Sequence, residues 1–187
     1  MGITMDRRQK KTRNAIFSAF ITLLEKNEYD KITVERIISL ADVGRATFYS
    51  HFETKDYLLK ELCEELFCHL FDCAGKGNSG HTHLFECQAP SSIFLHLFLH
   101  LQNNDNGILK LLSSKNNQIF AGYFKENLMM LFKRELALFK EKKKDNIPED
   151  FWINYLANTF VETVTWWVDN GKKQSAETIY DYFISVV

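Results

Sequence analysis

Apolar residues in this chain recur at three- and four-residue spacing, and almost nothing interrupts them. Only two prolines, Pro90 and Pro148, occur in 187 residues. Strands call for alternating apolar and polar positions, whereas an amphipathic helix repeats its apolar positions at i, i+3, i+4 and i+7. The second pattern dominates, so the sequence predicts an all-α fold of about nine helices. Helix one is expected from Thr12 to Asn27, with Ile16, Phe17, Phe20, Leu23 and Leu24 on one stripe. Thr33 suits the N-cap of helix two, where Val34, Ile37, Ile38 and Ala41 share a face. Arg36 stands where a capping box would place Glu or Gln, so that cap is half made. Helix three covers about Arg45 to His51. Helix four starts at Thr54 and runs through Leu58, Leu59, Leu62, Leu66 and Leu70 to the glycines of GKGNSG at 75–80. Further helices are expected at about 91–102, 108–112 and 116–142. The next runs from Pro148 to Asn170 with Gly171 as its C′ residue, and Ser175 caps a last one ending near Ser185.

The hydrophobic share, 45 %, is that of a globular protein. There is no apolar run long enough for a transmembrane helix and no secretory signal at MGITMDRRQKKTRN. The reading is a cytoplasmic protein with no membrane role, in which Cys63, Cys68, Cys73 and Cys87 stay reduced. The net charge of −1 hides an asymmetry: residues 1–60 carry 11 Lys/Arg against 8 Asp/Glu, and residues 61–187 carry 12 against 16. The excess gathers in Arg7, Arg8, Lys10, Lys11 and Arg13. A basic segment on a neutral protein is either a solvated tail or a contact for an anionic partner such as nucleic acid.

The stretch LADVGRATFYSHFETKDYL, residues 40–58, favours the second option. Asp42 and Gly44 bracket a three-residue turn between helices two and three. Helix three is too short to be stable alone, so its neighbours must hold it. Val43, Phe48 and Phe52 would pin it, leaving Arg45, Ala46, Thr47, Ser50 and His51 outward. That is a helix-turn-helix, whose second helix can enter the DNA major groove. Arginine can pair bidentately with a guanine edge. The hydroxyls of Thr47 and Tyr49 can donate to phosphates, which position the protein without reading sequence. Lys55, in the first turn of helix four, suits a phosphate placed beside free backbone N–H groups.

The residues from about Arg7 to Leu66 resemble the TetR/AcrR family of bacterial transcription regulators. The match lies in T-R-x-A-I-x-x-A-F-x-x-L-L, K-I-T-V-x-x-I and L-A-D-V-G-R-A-T-F-Y-S-H-F-x-x-K-D-x-L-L, with T-F-Y-S-H-F-E-T-K close to a family fingerprint. The resemblance implies a three-helix DNA-binding head, residues 1–55, on a helical ligand-binding and dimerisation body, residues 56–187. It implies a phosphate contact for Thr33, base-reading positions at Arg45 and Ala46, and phosphate contacts for Thr47, Tyr49, His51 and Lys55. The basic residues before helix one would form an arm reaching the backbone or minor groove. Two departures stand out. Asp42 replaces a common Gly, which a left-handed turn residue tolerates. Gly44 replaces a common Ser or Thr, which keeps an N-cap but loses a hydroxyl contact. Near the C-terminus, YLANTFVETVTWWVDNGKKQSAETI resembles the end of some family members, whose last two helices pair with their copies. Phe160, Trp166, Trp167, Tyr180 and Phe183 are the candidates for that dimer surface.

The implied function is a homodimeric regulator, a repressor, on a palindromic double-stranded DNA operator. If the body takes an inducer, the 19 of the 26 aromatics that lie in residues 61–187 favour a small apolar or aromatic one. One alternative is a body that binds a protein partner, as in a co-activator or adaptor. Another is a metal- or thiol-responsive sensor using Cys73, His81, His83 and Cys87. Their spacing, C-x7-H-x-H-x3-C, lacks the paired pattern of structural zinc sites, so no metal or other cofactor is assigned. His96 and His100, at i and i+4, read as a half-polar helix face, and Lys140 to Lys144 as a solvated helix end. No nucleophile–base pair, phosphate-binding glycine loop or HExxH pattern points to an enzyme.

Overall fold

The computed structural model describes residues 7–74, 92–103, 109, 112 and 118–187. The fold is all-α, with no strand among the described residues. In chain order the helices are α1 (Arg7–Lys26), α2 (Val34–Ala41), α3 (Arg45–His51), α4 (Lys55–Ala74), α5 (Ile93–Asn103), α6 (Gln118–Arg134), α7 (Glu149–Asp169) and α8 (Ala176–Val186). Single 3₁₀ segments lie at Tyr29–Lys31 and Leu136–Lys142. Leu109 and Leu112, within the expected 108–112 helix, are helical and buried. Contacts divide the chain into two compact units, one ending at Leu62 and the other starting at Cys63.

The first unit is built on the apolar stripe of α1. Ile16, Phe17, Phe20 and Leu24 are buried with Ile32, Ile37, Phe48, Phe52, Leu58, Leu59 and Leu62. Phe17 meets Phe52 edge-on at 5.3 Å between ring centres, and Phe48 lies 5.9 Å from Phe52. Burying each such ring contributes about 1.5–3 kcal/mol. This packing is what holds the seven-residue α3 in place. The caps are those expected. Thr33 Oγ1 accepts from the Arg36 backbone N–H at 3.3 Å, and Thr54 Oγ1 accepts from that of Tyr57 at 2.9 Å. Asp42 closes α2 at φ 53°, ψ 48°, a left-handed conformation that Asp tolerates because its short polar side chain bonds locally.

One expectation about α1 is corrected. The helix begins at Arg7 rather than Thr12, so Arg7, Arg8, Lys10 and Lys11 belong to its first turns and not to an extended arm. Arg and Lys are good helix formers, and the buried stripe downstream supplies the anchoring. The helix dipole opposes cations at this end, and no acidic residue sits in the first turn to offset them.

The second unit has an aromatic core. Phe94 stacks on Phe132 at 4.6 Å and Phe98 on Phe160 at 4.5 Å, while Phe183 sits edge-on to Phe160 at 5.3 Å. The expected 116–142 helix is two pieces: α6 ends at Arg134, and Leu136–Lys142 winds as a 3₁₀ helix. A periodicity reading cannot separate the two forms here, because Leu136, Phe139 and Lys142 fit three residues per turn as well as 3.6. Lys142 is not merely solvated: its ammonium donates to the Ile184 carbonyl near the end of α8. Gly171, at φ 71°, ends α7 as expected. Its N–H donates to Val168 O and that of Lys172 to Trp167 O, both at 2.9 Å, which is a Schellman motif. Ser175 caps α8 by accepting from the Thr178 N–H at 3.3 Å.

The two α5 histidines are also corrected. His96 and His100 are buried, not half-polar, because the face they occupy turns inward. Burial, reinforced by neighbouring imidazoles, pushes His96 down to about 4 and His100 down to about 3, so both rings are neutral at physiological pH. Cys63 is buried, and desolvation pushes its thiol far up, which makes it an inert core residue. Cys68 is exposed. His81, His83 and Cys87 lie outside the described residues, and only the helical backbone of Cys73 is described.

Candidate nucleic-acid interface

Helix α3 presents two unlike faces. Phe48 points inward with no exposed surface, and Phe52 does the same just past the helix end. On the other side Arg45, Ala46, Tyr49 and Ser50 are exposed, with Thr47 and His51 half-buried at the edges. The alternation follows from 100° of rotation per residue: once Phe48 is fixed inward, Arg45 and Tyr49 lie to one side of it, Thr47 and His51 to the other, and Ala46 and Ser50 opposite. The Tyr49 ring stands edge-on to Phe48 at 5.4 Å, which fixes its ring while nearly half of its surface stays exposed.

Arg45 forms an ion pair with Glu35 of α2. The Glu35 carboxyl is held below its ordinary range, first by its own backbone N–H; Arg45 and the Thr33 hydroxyl add to this, and desolvation opposes it. Both side chains of the pair are about 60 % exposed, at 59 % and 61 %, so the pair orients Arg45 more than it stabilises the fold. Sequence reading missed Glu35, because it lies ten positions from Arg45 across a turn, where no local spacing rule applies. Gly44 is the N-cap of α3, with extended backbone at φ −75°, ψ 155°. A Cβ there would meet only Thr47 Oγ1, at an ordinary 3.7 Å.

Lys55 has a duty that the sequence did not reveal. Its ammonium donates to Tyr29 O at 2.9 Å and Ile32 O at 3.0 Å, and sits 3.9 Å from the centre of the Tyr29 ring. Burial lowers its pKa, while Asp56 and Asp30 act in the opposite sense. Two of its three donors therefore tie the 29–32 turn to the start of α4. Tyr29 closes the same knot by donating to Asp56. Arg36 braces the other side of this turn, bonding Asn27 Oδ1 at 2.9 Å and Lys31 O at 3.0 Å. Arg13, from the basic cluster, pairs with Glu61 and lies 4.8 Å over Phe17 and 5.1 Å over Phe52. Burial, and then the Arg13 charge, lower the pKa of His51. Both effects favour the neutral imidazole, whose N–H can still donate.

Residues 16–62 match the family model described as bacterial regulatory proteins, tetR family, and residues 88–187 match a TetR-type transcriptional regulator C-terminal region. The chain belongs to the TetR family of transcriptional regulators. A solved TetR transcriptional regulator from Streptococcus agalactiae 2603V is 38 % identical, covers 97 % of this chain and 96 % of its own, and superposes with a TM-score of 0.71. The uncharacterized HTH-type regulator YxbF of Bacillus subtilis (strain 168) is 22 % identical over 96 % of this chain and 45 % of its own length. The HTH-type dhaKLM operon transcriptional activator DhaS of Lactococcus lactis subsp. lactis (strain IL1403) is 34 % identical over 61 residues, 33 % of each protein. The chain thus spans less than half the length of these two curated relatives. TetR-family proteins are DNA-binding transcription factors rather than enzymes. No helix among the described residues is long and apolar enough to cross a membrane.

For this TetR-family chain the expected dimer residues divide in two. Phe160, Trp167 and Phe183 are fully buried within the chain, so they are core and not interface. Trp167 is further locked by its indole N–H, which donates to Gln174 O at 3.0 Å. Trp166 is 46 % exposed and Tyr180 is half-buried, so these two remain at the surface. Trp166 and Trp167 are neighbours in sequence, but a helix turns them about 100° apart. The exposed side of α7 carries Phe151 and Tyr155 in line with Trp166, and α8 exposes Tyr182 and Val186.

Proposed function

We propose that this chain is a homodimeric repressor that binds a palindromic operator through α3 and is released by a small-molecule inducer bound in its body. The observation that carries this reading is the two-faced α3: Phe48 and Phe52 anchor it, and an arginine, a small residue and hydroxyl groups face outward. Arg45 reads a guanine edge, exchanging its Glu35 partner for the base. Ala46 allows close approach to the neighbouring base. Thr33, Thr47, Tyr49 and His51 position the head on phosphates, with Gly44 offering only its backbone. Lys55 has one remaining donor for a phosphate and acts mainly by holding the turn. The cationic start of α1 faces the same anionic partner, which would relieve its conflict with the helix dipole.

Dimerisation rests on the apolar stripe of Trp166, Tyr155 and Phe151 on α7, with Tyr180, Tyr182 and Val186 on α8. A pair of heads related by a two-fold axis would read half-sites about one DNA turn apart. The inducer would act by favouring a body conformation whose head spacing misfits the operator. A second reading has one observation behind it. A stretch of 61 residues shares 34 % identity with DhaS, a protein named as an activator. An activator would use the body to contact a protein partner instead of releasing DNA.

Titration of the purified protein against its own upstream DNA and a scrambled control, across salt concentrations, tests the proposal. Tight binding on the upstream DNA alone, with a steep salt dependence, is expected. Equal binding to both would remove the sequence-specific reading. Transcription from the bound promoter, with and without the protein, then separates repressor from activator.

A further inference from the structure

The body carries a cluster of imidazoles that DNA recognition does not use. His69 lies on α4, and His96 and His100 lie one turn apart on α5; all three are buried. Ring centres are 5.3 Å apart for His69 and His96, 4.8 Å for His69 and His100, and 4.7 Å for His96 and His100. The Nε2 atoms of His96 and His100 are 3.0 Å apart. One ring nitrogen from each of the three residues lies within 4.8 Å of the other two. We propose that His69, His96 and His100 form a binding site for a divalent transition cation of the zinc class, held by three imidazoles from two helices.

The spacing along α5 is the first support. Residues at i and i+4 stand one above the other on a helix, which is how a helix offers two ligands to one ion. The distances are the second. A tetrahedral zinc with Zn–N bonds of about 2.0–2.1 Å holds its nitrogens about 3.3 Å apart. The α5 pair is already near that value, and the His69 nitrogen, within 4.8 Å of both, must draw closer to join them. The donor set is the third. Imidazole nitrogens suit zinc, nickel and copper, whereas calcium and magnesium require oxygen ligands. Three protein ligands leave a fourth position for water or a small anion. A cation held there would bridge α4 to α5 and stabilise the body. The site stands independently of operator binding.

The test uses the full chain, stripped with chelator and titrated with zinc chloride in a calorimeter. One equivalent per chain and a melting temperature raised by several degrees are expected. His69→Gln and His100→Gln, each confirmed folded by circular dichroism, should weaken zinc binding by at least about tenfold. His81→Ala combined with His83→Ala should leave it unchanged. X-ray absorption on the zinc-loaded wild type needs no variant and should count three imidazole ligands. Absence of zinc uptake, sulfur in the coordination shell, or undiminished uptake by folded His69→Gln would each overturn the proposal.

Discussion

The two units of this chain bury aromatic rings in different ways. In the first, Phe48 and Phe52 are anchors: each fixes the angle of a short helix whose other face is polar and chemically specific. In the second, Phe94, Phe98, Phe132, Phe139, Phe160 and Phe183 pack against one another, and the rings themselves make the core. An anchoring ring can be inferred from its neighbours in sequence, because it serves a local turn. A ring within a cluster can be placed only when the partner helices are known.

The contrast can be broken most forcefully at Phe160. Phe160→Ala should cost about 3–5 kcal/mol of stability, the range for emptying a large buried site. Denaturant unfolding measures it; a loss below about 1 kcal/mol would return Phe160 to a surface role. Next in size is Arg45→Ala, which should leave unfolding unchanged and reduce discrimination at one base position by about 1–3 kcal/mol. Operators carrying single base changes would reveal it, and uniform losses on every sequence would make Arg45 a phosphate contact instead. Lys55→Met should cost about 1–2 kcal/mol of head stability by leaving the Tyr29 and Ile32 carbonyls without their charged donor. If melting stays the same while DNA binding falls, Lys55 belongs to the phosphate-contacting set alone. Thr33→Ala should cost about 1 kcal/mol through the lost cap. Gly44→Ser comes last, with a few tenths of a kcal/mol gained in stability and tighter binding on all DNA.

The legible parts of the fold were those written in local chemistry. Thr33, Thr54 and Ser175 at helix starts, Asp42 in the turn and Gly171 after α7 announce themselves because each solves a backbone problem within four residues of itself. The start of α1 was misjudged because a run of cations reads equally as a tail or as a helix whose anchoring lies further on. The α5 histidines were misjudged because i, i+4 spacing fixes a shared face and says nothing about what that face meets; His69 is 27 positions upstream of His96. Trp166 and Trp167 posed the same difficulty, since α7 carries aromatic residues on more than one side.

Gly44 has a further consequence. Its backbone is extended and a Cβ there would make only an ordinary contact with Thr47 Oγ1, so nothing in the fold requires a glycine. One substitution to a hydroxyl-bearing residue would improve the helix start and add a phosphate contact, with no rearrangement of the core. The weakest cap on the recognition helix thus sits where evolution can most readily strengthen it. If α3 reads the operator as proposed, the grip of this head on DNA is adjustable at Gly44 alone, separately from the sequence that it reads.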